Sequence, residues 1–327
     1  MLNSMRNSKA KNVLQFSIVV PAYNAGATLK ETLSSISDQS FSDYEVIIVN
    51  DGSRDATGKI ADTFAHQHVN ASVIHQENGG SGAAINTGLY AAQGNYICIC
   101  SSDDQLTPDC LRQQQLVIER HPDFHLFTTA GYHFNEEERW ERPFFNTGKW
   151  KTSHEITLRG LLETRFFGSG ITFSREAAID AGGYAVSVYA EDFDFYLRML
   201  LKDYRMWYSN HSCVRQRVSP VQKSANAMLI KESVLRSIEN ALSDDKLTAD
   251  KRLILQEGLS LSEEQLSLNQ GMLAQRAAAN RVIDSIPGKK MRSLTRSLLR
   301  VLSPVYRPIR RLMARFSNSG KSDRDLF

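Results

Sequence analysis

The first hundred residues alternate short apolar, β-branched runs with stretches whose apolar side chains recur every three or four positions, and this alternation narrows the fold more than any other feature. FSIVVP (16–21), YEVIIVN (44–50), SVIHQ (72–76) and NYICICS (95–101) read as strands. They are too uniformly apolar for a sheet with one wet face, so both faces must be covered. Leu29, Leu33 and Ile36, then Ile60, Ala61, Phe64 and Ala65, then Ala84, Leu89 and Ala92 mark the helices that supply the cover. A β-α-β-α-β-α-β order builds a mostly parallel sheet with right-handed crossovers, an α/β, Rossmann-like class.

Beyond residue 100 the alternation fades. Thr107-Pro108 reads as a helix start, with Thr as cap and Pro at the first helical position. FHLFTTAG (124–131) reads as a further strand. Residues 132–167 mix an acidic run with Trp140, Phe144, Phe145 and Trp150, which suits either an acceptor wall or a surface hairpin. From about Ala225 to Ile286 the pattern is helical and polar, enough for two or three helices. The expected organisation is an α/β domain over 1–225, a C-terminal helical extension over 226–287, a basic amphipathic tail over 288–316 and a disordered end over 317–327.

A chain of 327 residues can bury a full core, and 42% hydrophobic with 23% charged residues is ordinary for a globular protein. Cys98, Cys100, Cys110 and Cys213 show no C-x-x-C spacing, and the first two alternate inside an apolar run as buried strand residues do, which points to a reducing compartment. No apolar run approaches the ~20 residues that span a bilayer, and the start, MLNSMRNSKAKN, is polar, so a cytoplasmic location is expected. Residues 288–316 hold nine basic side chains and no acidic one; taking them from the net charge of +3 leaves about −6 for the rest. A body of that charge disfavours nucleic acid as partner. In the tail, Met291, Leu294, Leu298, Val301 and Leu302 share one helical face, with Arg292, Arg296 and Arg300 away from it. A peripheral anchor on an anionic inner leaflet, a helix packed on the protein and an oligomer contact all fit that pattern.

Ligands of an open parallel sheet sit beyond the carboxyl ends of its strands. Three of the four strands end in polar or Gly-rich clusters: Pro21-Ala22-Tyr23-Asn24, Asn50-Asp51-Gly52-Ser53 and Ser101-Ser102-Asp103-Asp104. Asn50 to Ser53 can equally be a turn, with Asp55 and Thr57 starting the next helix. Asn78-Gly79-Gly80-Ser81-Gly82 would let a backbone approach a diphosphate at a helix N-terminus, although its glycines lack the dinucleotide spacing.

Taken together these motifs become specific. V-P-A-Y-N (20–24), Q-S-F-S-D-Y-E-V-I-I-V-N-D-G-S-R-D-A-T (39–57), N-G-G-S-G-A-A-I-N-T-G (78–88), A-Q-G-N-Y-I (92–97), S-S-D-D (101–104), G-G-Y (182–184) and A-E-D-F-D-F-Y-L-R-M-L (190–200) resemble, in order and spacing, the motif series of family 2 glycosyltransferases. The resemblance covers roughly residues 15–218 and implies the GT-A fold and inversion at the anomeric carbon. It implies a nucleotide-sugar donor, expected to be UDP-linked, and a saccharide or lipid-linked saccharide acceptor, as in bacterial-type surface polysaccharide or glycolipid synthesis. By position, Pro21, Ala22, Tyr23 and Asp51 would hold the nucleoside. Gly80 and Asp103 would approach the sugar diphosphate, and Asp103 and Asp104 would hold Mg²⁺ or Mn²⁺. Asp192 falls where the family places its general base, with Glu191 beside it to position a substrate. An acidic first turn over the stripe Phe193, Tyr196, Leu197 and Leu200 is also what an ordinary amphipathic helix carries.

The chain departs from the family at three places: Ser101 replaces the first Asp of the usual D-x-D, Ile85 replaces an Arg, and Arg217 replaces the His of an Arg-x-His motif. Arg217 could then bring cationic charge to the diphosphate. The same departures suit a noncatalytic, membrane-associated nucleotide-sugar or carbohydrate binding protein, against which the intact Asp103, Asp104 and Asp192 speak. A nucleotidyltransferase or dehydrogenase is disfavoured because neither fingerprint is present.

Overall fold

The structure is a computed structural model, and it describes residues 15–135, 139–144, 148–164, 170–219 and 226–284. The four expected strands form as β1 (Phe16–Ala22), β2 (Tyr44–Asp51), β3 (Ala71–Gln76) and β4 (Tyr96–Ile99). All are parallel, in the order β3-β2-β1-β4. The three intervening helices are α1 (Leu29–Ser37), α2 (Thr57–Gln67) and α3 (Ser81–Ala91).

The second half of the sheet is mixed. It adds β5 (Gln105–Leu106), β6 (Leu126–Asn135), β7 (Trp140–Pro143), β8 (His154–Ile156), β9 (Thr172–Ser174) and β10 (Met206–Arg217). Short β9 lies antiparallel between β4 and β6, so β6, and β10 parallel to it, run in the same direction as β4. The carboxyl ends of β1, β2, β4, β6 and β10 therefore share one edge of the sheet. Irregular register between Ser209 and Val214 lets β10 follow β6 through a bend.

Helices cover both faces, as the apolar strands require. Ile18 and Val20 of β1 point into a cluster with Leu29, Leu33, Ile36 and Leu111; the last lies on α4 (Cys110–Arg120). Val19, between them, points the other way, to Leu89, Phe193 and Tyr196. That face is built on α3, α5 (Leu158–Thr164), α6 (Arg175–Asp180) and α7 (Glu191–Leu201). After residue 226 come α8 (Ala227–Leu242) and α9 (Ala249–Asp284), and their Val234, Ile238 and Leu255 join this same core. Chain contacts separate a unit over 1–263 from one over 264–327. The basic segment 288–316 and the end 317–327 lie outside the described residues.

The helix expected at Thr107-Pro108 begins at Cys110 instead, with Asp109 at its cap. Thr107 is taken by the sheet: its N–H donates to Cys213 O at 2.9 Å and its hydroxyl to Ser212 O at 3.1 Å, extending the β5 to β10 pairing. All four cysteines are buried free thiols, with Cys98 on β4 and Cys213 on β10.

The A-x-G step before β4 is a packing device. Gly94 N–H donates to Ser17 Oγ at 2.8 Å, and that hydroxyl in turn donates to Glu45 Oε1 at 2.6 Å. A Cβ on Gly94 would sit 2.6 Å from Phe16 C and from Ser17 N, backbone atoms of a central strand that cannot step aside. Gly94→Ala should therefore cost about 1–3 kcal/mol of stability. A fall in denaturant midpoint at unchanged slope checks this.

Candidate functional site

The first strand end presents Pro21, Ala22 and Tyr23. Ala22 is buried in the core and offers only backbone, whereas Tyr23 is 52% exposed. The segment after it is fastened to the start of α2: Ala25 N–H donates to Thr57 Oγ1 at 2.7 Å and Gly26 N–H to Asp55 Oδ2 at 2.8 Å. Burial raises the Asp55 pKa, but hydrogen bonds from the Thr57 hydroxyl, the Thr57 N–H and the Gly26 N–H outweigh it and leave the carboxyl below its usual range. Asp55 and Thr57 thus hold the segment after β1 against the start of α2.

Asp51 closes β2 and is 2% exposed. Its Oδ1 accepts from Gln76 Nε2 and from Gly79 N–H, both at 2.8 Å, and its Oδ2 accepts from Gly80 N–H at 2.9 Å. The glycine N–H groups that the sequence offered to a diphosphate are here given to this carboxylate. Gly52, at φ +70°, makes the sharp exit from β2 possible, and a Cβ there would meet Asn78 N at 2.7 Å. Gly80, at φ +85°, precedes the first residue of α3. The adjacent Ser81 hydroxyl donates to Glu191 Oε1. One continuous run of contacts therefore links Asp51, through the glycine loop, to the start of α7.

Glu191 is buried and Asp192 half-buried at that start. Their charge is felt beneath them: burial pushes the Tyr184 hydroxyl well above its usual pKa, and the Asp192 and Glu191 carboxylates push it further. Tyr184 stacks on Phe195, 4.4 Å between centroids, which ties the G-G-Y turn to α7. Asn86 of α3 clasps the turn from the other side, its Oδ1 accepting from Tyr184 N–H at 2.7 Å and its Nδ2 donating to Tyr184 O at 2.8 Å. Asp194 belongs to the same frame: its Oδ2 accepts from Arg198 Nε at 2.8 Å, and Arg198 also donates to Ala181 O and Gly183 O.

After β4 the chain turns through Ser101–Asp104. Asp103 is half-buried; Asp104 is buried, its Oδ1 accepting from Arg217 N–H at 3.0 Å. Both carboxylates crowd Cys100, whose thiol is pushed well up by burial first and by Asp104 next. The Arg217 guanidinium turns into this loop, Nε donating to Asp103 O at 3.2 Å and Nη2 to Glu31 Oε2 at 2.6 Å. Among the described residues no group of three or more His, Cys, Asp or Glu side chains is arranged to hold a metal ion. Carboxylates adjacent in sequence, Asp103 and Asp104, offer the oxygen donors that suit Mg²⁺ or Mn²⁺, cations that take their remaining ligands from substrate phosphates and water.

The expected residues thus fall on one edge in two groups, Asp51 with Gly80, Glu191 and Asp192, and Asp103 with Asp104 and Arg217. Ser81 and Asn86 lie inside the motif at 78–88 without a role assigned from the sequence, and Glu31 carries no local signal. Trp150, a candidate for an acceptor wall, packs edge-on against Tyr208 at 4.9 Å. A cavity of about 230 Å³ lined by Trp150, His154, Arg159 and Glu163 lies beside β8, which pairs with the first residues of β10, at the edge opposite the strand ends. No described helix is long and apolar enough to cross a membrane.

Comparison with known proteins gives the family and the fold. A family model described as Glycosyl transferase family 2 matches residues 17–205. The Bacillus subtilis glycosyltransferase EpsJ is 35% identical over 154 residues, 46% of this chain and 44% of that protein, so the match spans about half of each. S. aureus TarS 1–349 in complex with UDP superposes with a TM-score of 0.60 at 24% identity, covering 75% of this chain and 71% of that one. The mannosyltransferase PcManGT from Pyrobaculum calidifontis, in complex with GDP-Man and Mn²⁺, superposes with a TM-score of 0.62 at 19% identity, covering 92% and 83%. At such identities the two structures speak for the fold, which is GT-A.

Proposed function

The chain belongs to glycosyl transferase family 2, and from that premise we propose that it is an inverting, hexosyltransferase-type enzyme that moves a sugar from a nucleotide donor to a saccharide or lipid-linked saccharide. The observation that carries this reading is the unbroken run of contacts from Asp51 through Gly79, Gly80 and Ser81 to Glu191, which supports a nucleoside end at Asp51 and a catalytic end at the start of α7. UDP is the favoured nucleotide, supported by TarS, whose structure holds UDP. GDP is the competitor, because PcManGT holds GDP-Man.

In this mechanism Pro21, Ala22 and Tyr23 line the nucleoside pocket, and Asp51 shapes its floor by fixing the glycine loop. Asp192 lies on the acceptor side and takes the proton of the acceptor hydroxyl as its oxygen bonds to the anomeric carbon. The bond to the nucleoside diphosphate breaks on the opposite face, which inverts the centre. Glu191, fixed by Ser81, orients a substrate hydroxyl. Asp103 and Asp104 would hold Mg²⁺ or Mn²⁺, which supplies charge neutralisation to the departing diphosphate. The basic segment 288–316 would bring the protein to an anionic cytoplasmic leaflet, within reach of a lipid-linked acceptor of surface polysaccharide or glycolipid synthesis.

A donor screen tests the reading. Release of UDP or GDP from a panel of nucleotide sugars should require Mn²⁺ or Mg²⁺ and rise with a saccharide or lipid extract. Tight donor binding without release under any condition would favour the noncatalytic binding protein. For the tail, deletion of 288–327 should leave a folded body that no longer sediments with anionic liposomes, and binding by the intact protein should weaken with added salt. Equal sedimentation of both forms would assign the tail to packing or oligomer contact.

A further inference from the structure

The acidic loop after β4 is held from outside by a feature that the reading above does not use. Thr28 and Glu31 lie three residues apart at the start of α1, hence on one face of it. A Thr at a helix cap ordinarily bonds its own first turn, but the Thr28 side chain makes no such bond. Its hydroxyl donates instead to Ser102 O at 2.9 Å, 74 positions away. Glu31 Oε2 accepts from Arg217 Nη2 at 2.6 Å and from Gln105 Nε2 at 3.4 Å. Arg217 carries that hold onward, Nε to Asp103 O at 3.2 Å and N–H to Asp104 Oδ1 at 3.0 Å, while Arg215 Nη1 donates to Gln105 Oε1 at 2.6 Å.

The contacts form a closed strap from α1 across Ser102, Asp103, Asp104 and Gln105 to the end of β10. Within it the Arg217 side chain is only 13% exposed, laid over the Phe134 ring at 4.8 Å, whereas Glu31 is 51% exposed. An exposed partner adds little to folding but fixes the direction of a mostly buried guanidinium. We propose that Glu31 is a positioning residue of this enzyme, acting through Arg217 to set the backbone of the Asp103–Asp104 loop. The proposal rests on the donor-site reading above and adds to it a residue that never touches the donor.

The test is a double-mutant cycle with Glu31→Gln and Arg217→Gln, reading turnover of UDP- and GDP-sugars in Mn²⁺. Glu31→Gln should lower kcat about fivefold or more, because a misplaced site loses rate steeply. Donor KM should change less than about threefold and the thermal midpoint less than about 2 °C, since the nucleoside end is untouched and the pair is exposed on one side. The double variant should match Arg217→Gln alone within about twofold, because Glu31 then has nothing left to hold. Unchanged kcat in Glu31→Gln, a change confined to KM, a rate loss that tracks lost stability, or effects that multiply in the double variant would each overturn the strap. A wild-type protein that turns over no nucleotide sugar would overturn the functional reading along with it, whereas normal wild-type turnover matched by Glu31→Gln overturns the strap alone.

Discussion

Asp103→Asn is expected to fold normally and to lose about 10²-fold or more in turnover at saturating donor, the scale of removing one preorganised group that stabilises developing charge. The two carboxylates of the loop are not equivalent. Asp103 is half-buried, and the bond from Arg217 Nε goes to its backbone carbonyl, which the substitution leaves in place. Asp104 is buried and its Oδ1 accepts the N–H of half-buried Arg217, so its removal takes the acceptor from that donor and leaves a gap in the loop. Asp104→Ala should therefore lose turnover together with about 1–3 kcal/mol of stability. Titrating Mn²⁺ into each variant, with thermal unfolding alongside, separates the two effects. Full turnover of the native protein in excess chelator would remove the metal from the mechanism and leave Arg217 as the cation at the diphosphate.

The parallel half of this fold was legible because its central strands β1 and β2 are buried on both faces, and a run such as YEVIIVN can be little else, whereas β3, at the end of the sheet, is only partly buried. The edge that carries the candidate site followed from that alone, since strand ends carry the polar clusters of such a sheet. The mixed half was less legible. β9 is a three-residue strand with no pattern of its own, and its antiparallel place between β4 and β6 is set by what lies beside it. Thr107 has the chemistry of a helix cap, but its N–H and hydroxyl donate across to β10, at Cys213 O and Ser212 O, contacts no local pattern announces. Asp51 was placed at the pocket, yet the three donors around it, two of them glycine N–H groups 28 and 29 positions on, are a property of the folded loop. Glu31 and Arg217 stand 186 positions apart, and no local pattern connects a first-turn Glu to a strand-end Arg.

The carboxylates at the start of α7 are where an enzyme and a binding protein part, and their hydrogen bonds differ. Asp194 is bound to Arg198, which braces the G-G-Y turn, so Asp194→Asn should weaken that turn and carries no expectation of acid-base function. Glu191 receives the Ser81 hydroxyl and is buried, which suits orientation of a substrate. Asp192 is half-buried at the same helix start. Asp192→Asn keeps the size of the side chain and cannot accept the acceptor's proton, so turnover should fall by roughly 10²-fold or more. Donor KM should stay close to that of the native protein, because the proposed mechanism sets this carboxylate against the acceptor and not the nucleotide. Glu191→Gln should differ in kind, with part of its loss in KM, since positioning is felt when substrate binds as well as when it reacts. The comparison needs direct measurement of product at saturating donor and Mn²⁺, with thermal midpoints of the two variants within about 2 °C of each other. Near-normal turnover in Asp192→Asn would overturn the assignment and move the base to Glu191, the remaining carboxylate of this pair.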